Sequence, residues 1–140
     1  MQNVEDHARS PIGAFGCARF LRNVRQVRFA LVDCGEGVLK SLRRAHPEIT
    51  SSRQALESIA RGGYSARSRR NNLGRGISNL RSIVTEAFAG NAYIVSDDAA
   101  GEFRSGAPPK YHQLDFTYCG TAVCFTLPTE PGVSSQNRGQ

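Results

Sequence analysis

One aspartate stands at the end of an alternating apolar run and just before two glycines: Gln26 to Gly37 reads QVRFALVDCGEG. Val27, Phe29 and Leu31 alternate with Arg28, Ala30 and Val32, which predicts a strand ending at Asp33, one face fully buried and the other partly so. A carboxylate accepts hydrogen bonds, and an exocyclic amine such as that of adenine donates them. Gly35 and Gly37 would let the backbone come close to a flat ligand at that point. The same residues fit a plainer role, in which Asp33 merely caps a helix from Gly37 to Ala45; the stretch alone leaves both open. A second pattern, Leu73-Gly74-Arg75-Gly76-Ile77, opens another predicted helix. There the backbone amides of the loop and first turn can point outward, and the helix macrodipole favours an anion such as a polyphosphate. A GxG at a helix start occurs in many settings and does not by itself name a ligand.

The elements that must position these residues follow from periodicity. Met1 to Ala8 reads as the last two turns of a helix, closed a little later by Pro11. Gly13 to Leu21 and Gln26 to Asp33 form a predicted antiparallel hairpin across the polar turn Arg22 to Arg25. A short helix over Gly37 to Ala45 buries Val38, Leu39 and Leu42, and His46-Pro47 ends it. Thr50 or Ser51 caps a second helix near Ser52 to Ala60, with Ala55, Leu56 and Ile59 as its stripe. Arg61 to Gly76 holds five arginines among turn-forming residues and predicts a mobile loop. A third helix runs from Gly76 to Phe88. Strands are then expected at Ala92 to Ser96, Glu102 to Ser105, Gln113 to Tyr118 and Thr121 to Leu127, the last pair joined by Cys119-Gly120. Helix blocks interrupting antiparallel hairpins predict an α+β fold: a two-layer α/β sandwich whose sheet is mixed but mostly antiparallel, with helices on one face.

At 140 residues, 39% of them hydrophobic, the chain has the material for one domain, here 1–128, followed by a tail over 129–140 that lacks apolar periodicity and is expected to be disordered. No apolar run approaches membrane-spanning length and the N-terminus resembles no targeting peptide, so a cytoplasmic setting is expected. The four cysteines, Cys17, Cys34, Cys119 and Cys124, match neither a CxxC nor a zinc spacing and are expected to be reduced and mostly buried. Of the 18 basic residues only Lys40 and Lys110 are lysines; an arginine surplus at net charge +6 suits phosphate. Nucleic acid is disfavoured because aromatic residues are not interleaved with the arginines as a stacking platform requires. His46 and His112 have no neighbouring carboxylate or cysteine cluster in sequence that would make them ligands.

Taken together, QNVEDHA, VDCGEG, NNLGRGISNL and GTAVCFTLP resemble, in order, the N box, the DxGxG box, the GxGLxxL box and the closing GTxxxxxLP strand of the Bergerat-fold (GHKL) ATPases. That superfamily includes topoisomerase B subunits, heat-shock 90 chaperones, sensor histidine kinases and MutL proteins, and the match spans most of Asn3 to Pro128. The resemblance implies that Asp33 accepts from the adenine amine, with Gly35 and Gly37 making room for the base and Thr121 supporting both. It implies that Gly74, Arg75, Gly76 and Ile77 belong to the phosphate cradle, that Arg67 to Arg75 form a lid, and that Asn3 holds the Mg2+ bridging the phosphates of ATP. His7 matches the N box's own histidine, and its reading is a helix-surface or packing residue.

Departures from the pattern bear on catalysis. The glutamate that in the enzymes stands four positions before the N-box asparagine would fall upstream of Met1, and so would the preceding strands and half-helix. The chain therefore reads as an N-terminally truncated histidine-kinase-like ATPase domain, similar to the anti-sigma-factor serine kinases, binding Mg-ATP or ADP for phosphoryl transfer or signalling. The alternative is a regulatory interaction module that has lost turnover. A regulatory protein partner and a homodimer are both compatible with either reading.

Overall fold

The computed structural model describes residues 11–62 and 73–129, with the backbone alone at 73–76. The expected N-terminal helix with Asn3 and His7, the lid residues before Leu73 and the tail beyond Thr129 lie outside the described residues. β1 (Ala14–Leu21) and β2 (Gln26–Asp33) make the expected hairpin, in register from Leu21 opposite Gln26 to Ala14 opposite Asp33. Its turn closes through Arg25 at φ 48°, the left-handed conformation such tight connections require. Thr129 is tied to that turn: its N–H and its hydroxyl both donate to the Arg25 carbonyl at 2.9 Å.

Three helices follow, α1 (Gly37–Arg43), α2 (Ser52–Arg61) and α3 (Leu73–Ser82). Ser51 rather than Thr50 is the N-cap of α2. Its side chain accepts from the Gln54 N–H at 3.2 Å while Gln54 Oε1 accepts from the Ser51 N–H at 3.3 Å, a reciprocal capping box. α3 starts three residues before the expected Gly76 and continues into a wide π-turn over Ile83–Ala87, closed by Phe88 N–H on the Ile83 carbonyl at 3.1 Å.

β3 (Asn91–Arg104) and β4 (Lys110–Pro128) complete a sheet in the order β1-β2-β4-β3. Every pairing among the described residues is antiparallel, so the expectation of a mixed sheet is corrected. The helical crossover brings β3 back one place away from β2, and β4 fills the slot, antiparallel to both neighbours. In place of four separate C-terminal strands there are two long runs, β3 itself bent into two arms near the expected Ala92 to Ser96 and Glu102 to Ser105. An unbroken strand the length of β3 would hold its ends about 45 Å apart, yet the Ser105 N–H donates to the Gly90 carbonyl at 3.2 Å and the Tyr93 hydroxyl to Glu102 at 3.3 Å. β3 therefore folds back on itself, and Asp97 at φ 56° sits at the bend. β4 runs without a break through Cys119-Gly120, pairing the returning arm from Lys110 to Gln113 and the outgoing arm from Thr121 to Thr126. Register shifts around Asp97 mark where it passes the tip of the bend.

The core lies on one side of this sheet. Ala92, Ile94 and Ser96 are buried while Tyr93 between them is exposed, and against the buried set pack Val38, Leu42, Leu56, Ile59 and Val84 from the helical layer. Phe103 and Ala99 enter the same core from the returning arm. The opposite face is open, which corrects the expectation of buried thiols. Cys124 is registered with exposed Tyr93, and Cys17 and Cys124 are both registered with Ala30 of β2, so they share that outer face; Cys34 directly follows β2, Cys119 lies within β4 beside Gly120, and all four are exposed. Among the described residues no helix is long and apolar enough to cross a membrane.

Candidate functional site

Asp33 is the last residue of β2, registered between Ala14 of β1 and Thr121 of β4. One carboxylate oxygen is fully engaged: Oδ1 accepts from the Gly35 N–H at 2.8 Å and from the Thr121 N–H at 3.2 Å. The turn after the strand and the neighbouring strand thus lock the side chain in one orientation. Among the described residues no donor reaches Oδ2, so the half-buried carboxylate keeps one oxygen free to accept. The Asp33 carbonyl is held too, by the Tyr118 hydroxyl at 3.0 Å; burial, followed by the neighbouring Cys34 and Asp33, pushes the Tyr118 phenol up from its ordinary value and keeps it a donor.

The plainer reading of Asp33 as the cap of α1 is decided by geometry. The N-cap residue, Glu36, makes no side-chain cap bond, and the free amides of the first turn are served from β3. Val38 N–H donates to Ser96 Oγ at 2.8 Å and Leu39 N–H to Asp97 Oδ2 at 3.2 Å. The fully buried Ser96 hydroxyl passes its own proton to the Gly120 carbonyl at 2.8 Å, joining the start of α1 to the point where β4 meets Asp33. Burial raises the Asp97 carboxyl above its usual range, partly offset by the Leu39 and Ser96 hydrogen bonds and reinforced by Asp98. Asp33 is thereby spared for another partner.

Of the residues singled out by sequence, Asp33, Gly35 and Thr121 are brought together. Gly37 stands on the α1 side, at φ 76°, and the space a Cβ would need is taken by the Asp97 carboxylate at 2.6 Å. Gly74, Arg75 and Gly76 follow Leu73 in the opening turn of α3, where the first four N–H groups have no partner within the helix. Ile77 packs against the core cluster. α2, packed on both α1 and α3, is what links the Asp33 end to α3. A cavity of about 460 Å3 opens beside α1, lined by Glu36, Leu39, Lys40, Arg43, Arg44 and Asp97; Asp33 does not line it. Arg44 there is paired with Glu36.

Sequence reasoning passed over Ser96, Asp97, Tyr118 and Gly120. The Ser-Asp-Asp run after an apolar alternation is the signal for a bend, and the lone Gly120 within a strand pattern is the signal for a close backbone approach. Among the described residues no three His, Cys, Asp or Glu side chains cluster as a metal site, and Asn3 lies outside them. No family model matches the chain, and no curated protein matches it.

Proposed function

We propose that this chain binds an adenine nucleotide, as a histidine-kinase-like ATPase domain does, with Asp33 reading the base. The single observation that carries this reading is the asymmetry of the Asp33 carboxylate, one oxygen locked by Gly35 and Thr121 and the other free to accept. A fixed acceptor beside a glycine turn suits the exocyclic amine of adenine, and the opening turn of α3 with Gly74 and Gly76 supplies amides that have no partner within the helix and suit phosphate. Mg-ATP is the ligand in this reading. The metal would serve to neutralise and orient the phosphates, and phosphoryl transfer would then rest on positioning and electrostatics. The setting is cytoplasmic, where ATP is abundant, and the output is signalling through a protein partner.

Calorimetric titration with ADP and Mg2+ tests it. Saturable binding is expected, and Asp33→Asn should weaken it about tenfold or more. The asparagine oxygen would stay with the Gly35 and Thr121 amides, leaving its NH2 group turned toward the adenine amine, donor against donor. A folded protein that ignores ADP, or a variant that binds as well as the parent, would sink the proposal.

A further inference from the structure

β1 closes one side of the sheet, and among the described residues no strand pairs with its outer edge. Alternate residues of an antiparallel edge strand turn their N–H and C=O groups away from the sheet, which makes a template for another strand. Proline, lysine, a bulge or a charge aimed at the core side usually blunts such an edge. β1 has none of these: its register with β2 is unbroken over all eight residues, and its one charge, Arg19, lies on the outer face with Cys17. We propose that this edge pairs with β1 of a second copy of the chain, antiparallel about a two-fold axis at Cys17, so that the two sheets join into one.

The two sides of β1 follow from register. Ala14, Gly16, Ala18 and Phe20 stand opposite Asp33, Leu31, Phe29 and Val27, a row that β4 continues with the core-packed Val123, Phe125 and Leu127 on the helix side. Phe15, Cys17 and Arg19 therefore share the outer face. Neither side of β1 is covered: its six central residues are all exposed, Phe15 at 61% and Phe20 at 53%. Aromatic side chains left open on both faces of an unpaired edge gain cover from a strand laid beside it.

Charge and size select the partner and the register. A two-fold axis pairs β1 with its own reverse, so the residue types must be complementary across the axis. With the two Cys17 residues opposite each other, Arg19 stands opposite Phe15 on the outer face, twice by symmetry, a guanidinium beside an aromatic ring. The two Arg19 side chains are then four positions apart along the joined strands, about 13 Å. An axis at Arg19 would set these like charges directly against each other, and one at Ala18 would leave them diagonal neighbours. On the helix side the same register faces Phe20 with Ala14 and Ala18 with Gly16, small residues that leave room for the ring. A foreign strand would have to supply both an aromatic and a cation at the matched positions, and β1 itself carries them.

The test uses the full chain. Sedimentation velocity is expected to show a concentration-dependent species of twice 15.2 kDa. Phe15→Arg, at an exposed position, sets an arginine against Arg19 of the other copy at both symmetric places and should weaken the dimer about tenfold or more. Adding Arg19→Glu restores opposite charges across the axis and should return the affinity toward that of the parent, which a general loss of apolar surface would not allow. Residues directly opposite hold their Cβ atoms about 4.5–5.5 Å apart, close to the reach of a disulfide. Oxygen with copper phenanthroline should therefore crosslink the parent and Cys124→Ser quickly and Cys17→Ser at least about tenfold more slowly. Unchanged circular dichroism reports that each variant is folded, and if Phe15→Arg fails to fold, the crosslinking comparison decides. A mass of one chain at every concentration, a mass that grows past two chains, a dimer indifferent to Phe15→Arg, or equal crosslinking of Cys17→Ser would overturn the proposal.

Discussion

Gly120 abuts the main chain of Asp33 so closely that a Cβ would lie 2.1 Å from the Asp33 carbonyl oxygen, and its φ of 121° is one that side-chain-bearing residues rarely adopt. The approach is what allows β4 to deliver the Thr121 N–H to Asp33 Oδ1 and the Tyr118 hydroxyl to the Asp33 carbonyl. Gly120→Ala is therefore strained twice, by the backbone angle and by contact with a strand that cannot retreat without breaking its register. A loss of about 3 kcal/mol is expected, read as a lower urea midpoint at unchanged slope. A midpoint within error of the parent would mean that the two segments are not held together as described.

Ser96 makes a prediction of a different kind, because its hydroxyl is the hinge between two elements. Ser96→Ala leaves the Val38 N–H and the Gly120 carbonyl without their buried partner. The expected cost is about 2 kcal/mol, from desolvated groups left unpaired rather than from lost packing. Hydrogen exchange should show where it falls: the first-turn amides of α1 lose protection while those of α2, with its own capping box, keep theirs. Uniform loss across both helices would argue that Ser96 acts only on global stability.

Asp97 ties the same cap to pH. Its carboxyl is raised in the folded protein, mainly by burial, so the folded state holds the proton more tightly than the unfolded chain does. This contribution to stability is fully present below the ordinary aspartate range and is lost as pH rises through the folded value. Asp98 and Glu102 are shifted down and act in the opposite sense, which is why the comparison must be with a variant rather than with the parent's own profile. The parent's stability minus that of Asp97→Asn should be greatest at acid pH and decline as pH rises through the window just above the ordinary aspartate value. A difference that is flat with pH, or that grows with it, would contradict the assignment.

How much of this site is legible in the sequence depends on the range over which each contact acts. The strand ending at Asp33 is legible because alternation over Val27, Phe29 and Leu31 leaves one consistent register, and the hairpin before it follows from a short polar turn. The cap of α1 is not, because the residues that supply it stand 58 positions away, and local rules offer only the adjacent Asp33. The bend in β3 falls between: Ser96-Asp97-Asp98 has turn chemistry, but nothing in the alternation says that β4 will pass round its tip and bring Gly120 to Asp33. The exposure of the cysteines is hidden from the sequence for a related reason. Cys is usually buried, yet Cys124 alternates with the core-packed Val123 and Phe125 and so points to the other side of the sheet, where Cys17 joins it across Ala30.

The proposed reading of the base can be made to reverse. Guanine presents a carbonyl oxygen where adenine presents its amine, so against the free Asp33 Oδ2 it would set acceptor against acceptor. ADP is expected to outcompete GDP by about tenfold or more in displacing a fluorescent ADP analogue from the parent protein. In Asp33→Asn the Gly35 and Thr121 amides would still demand the side-chain oxygen, turning the NH2 group outward, where guanine's oxygen is now the complementary partner. The ratio should therefore fall and move toward GDP, a change in preference that mere loss of stability would not produce. Equal weakening of both nucleotides would show that Asp33 supports the pocket without touching the base.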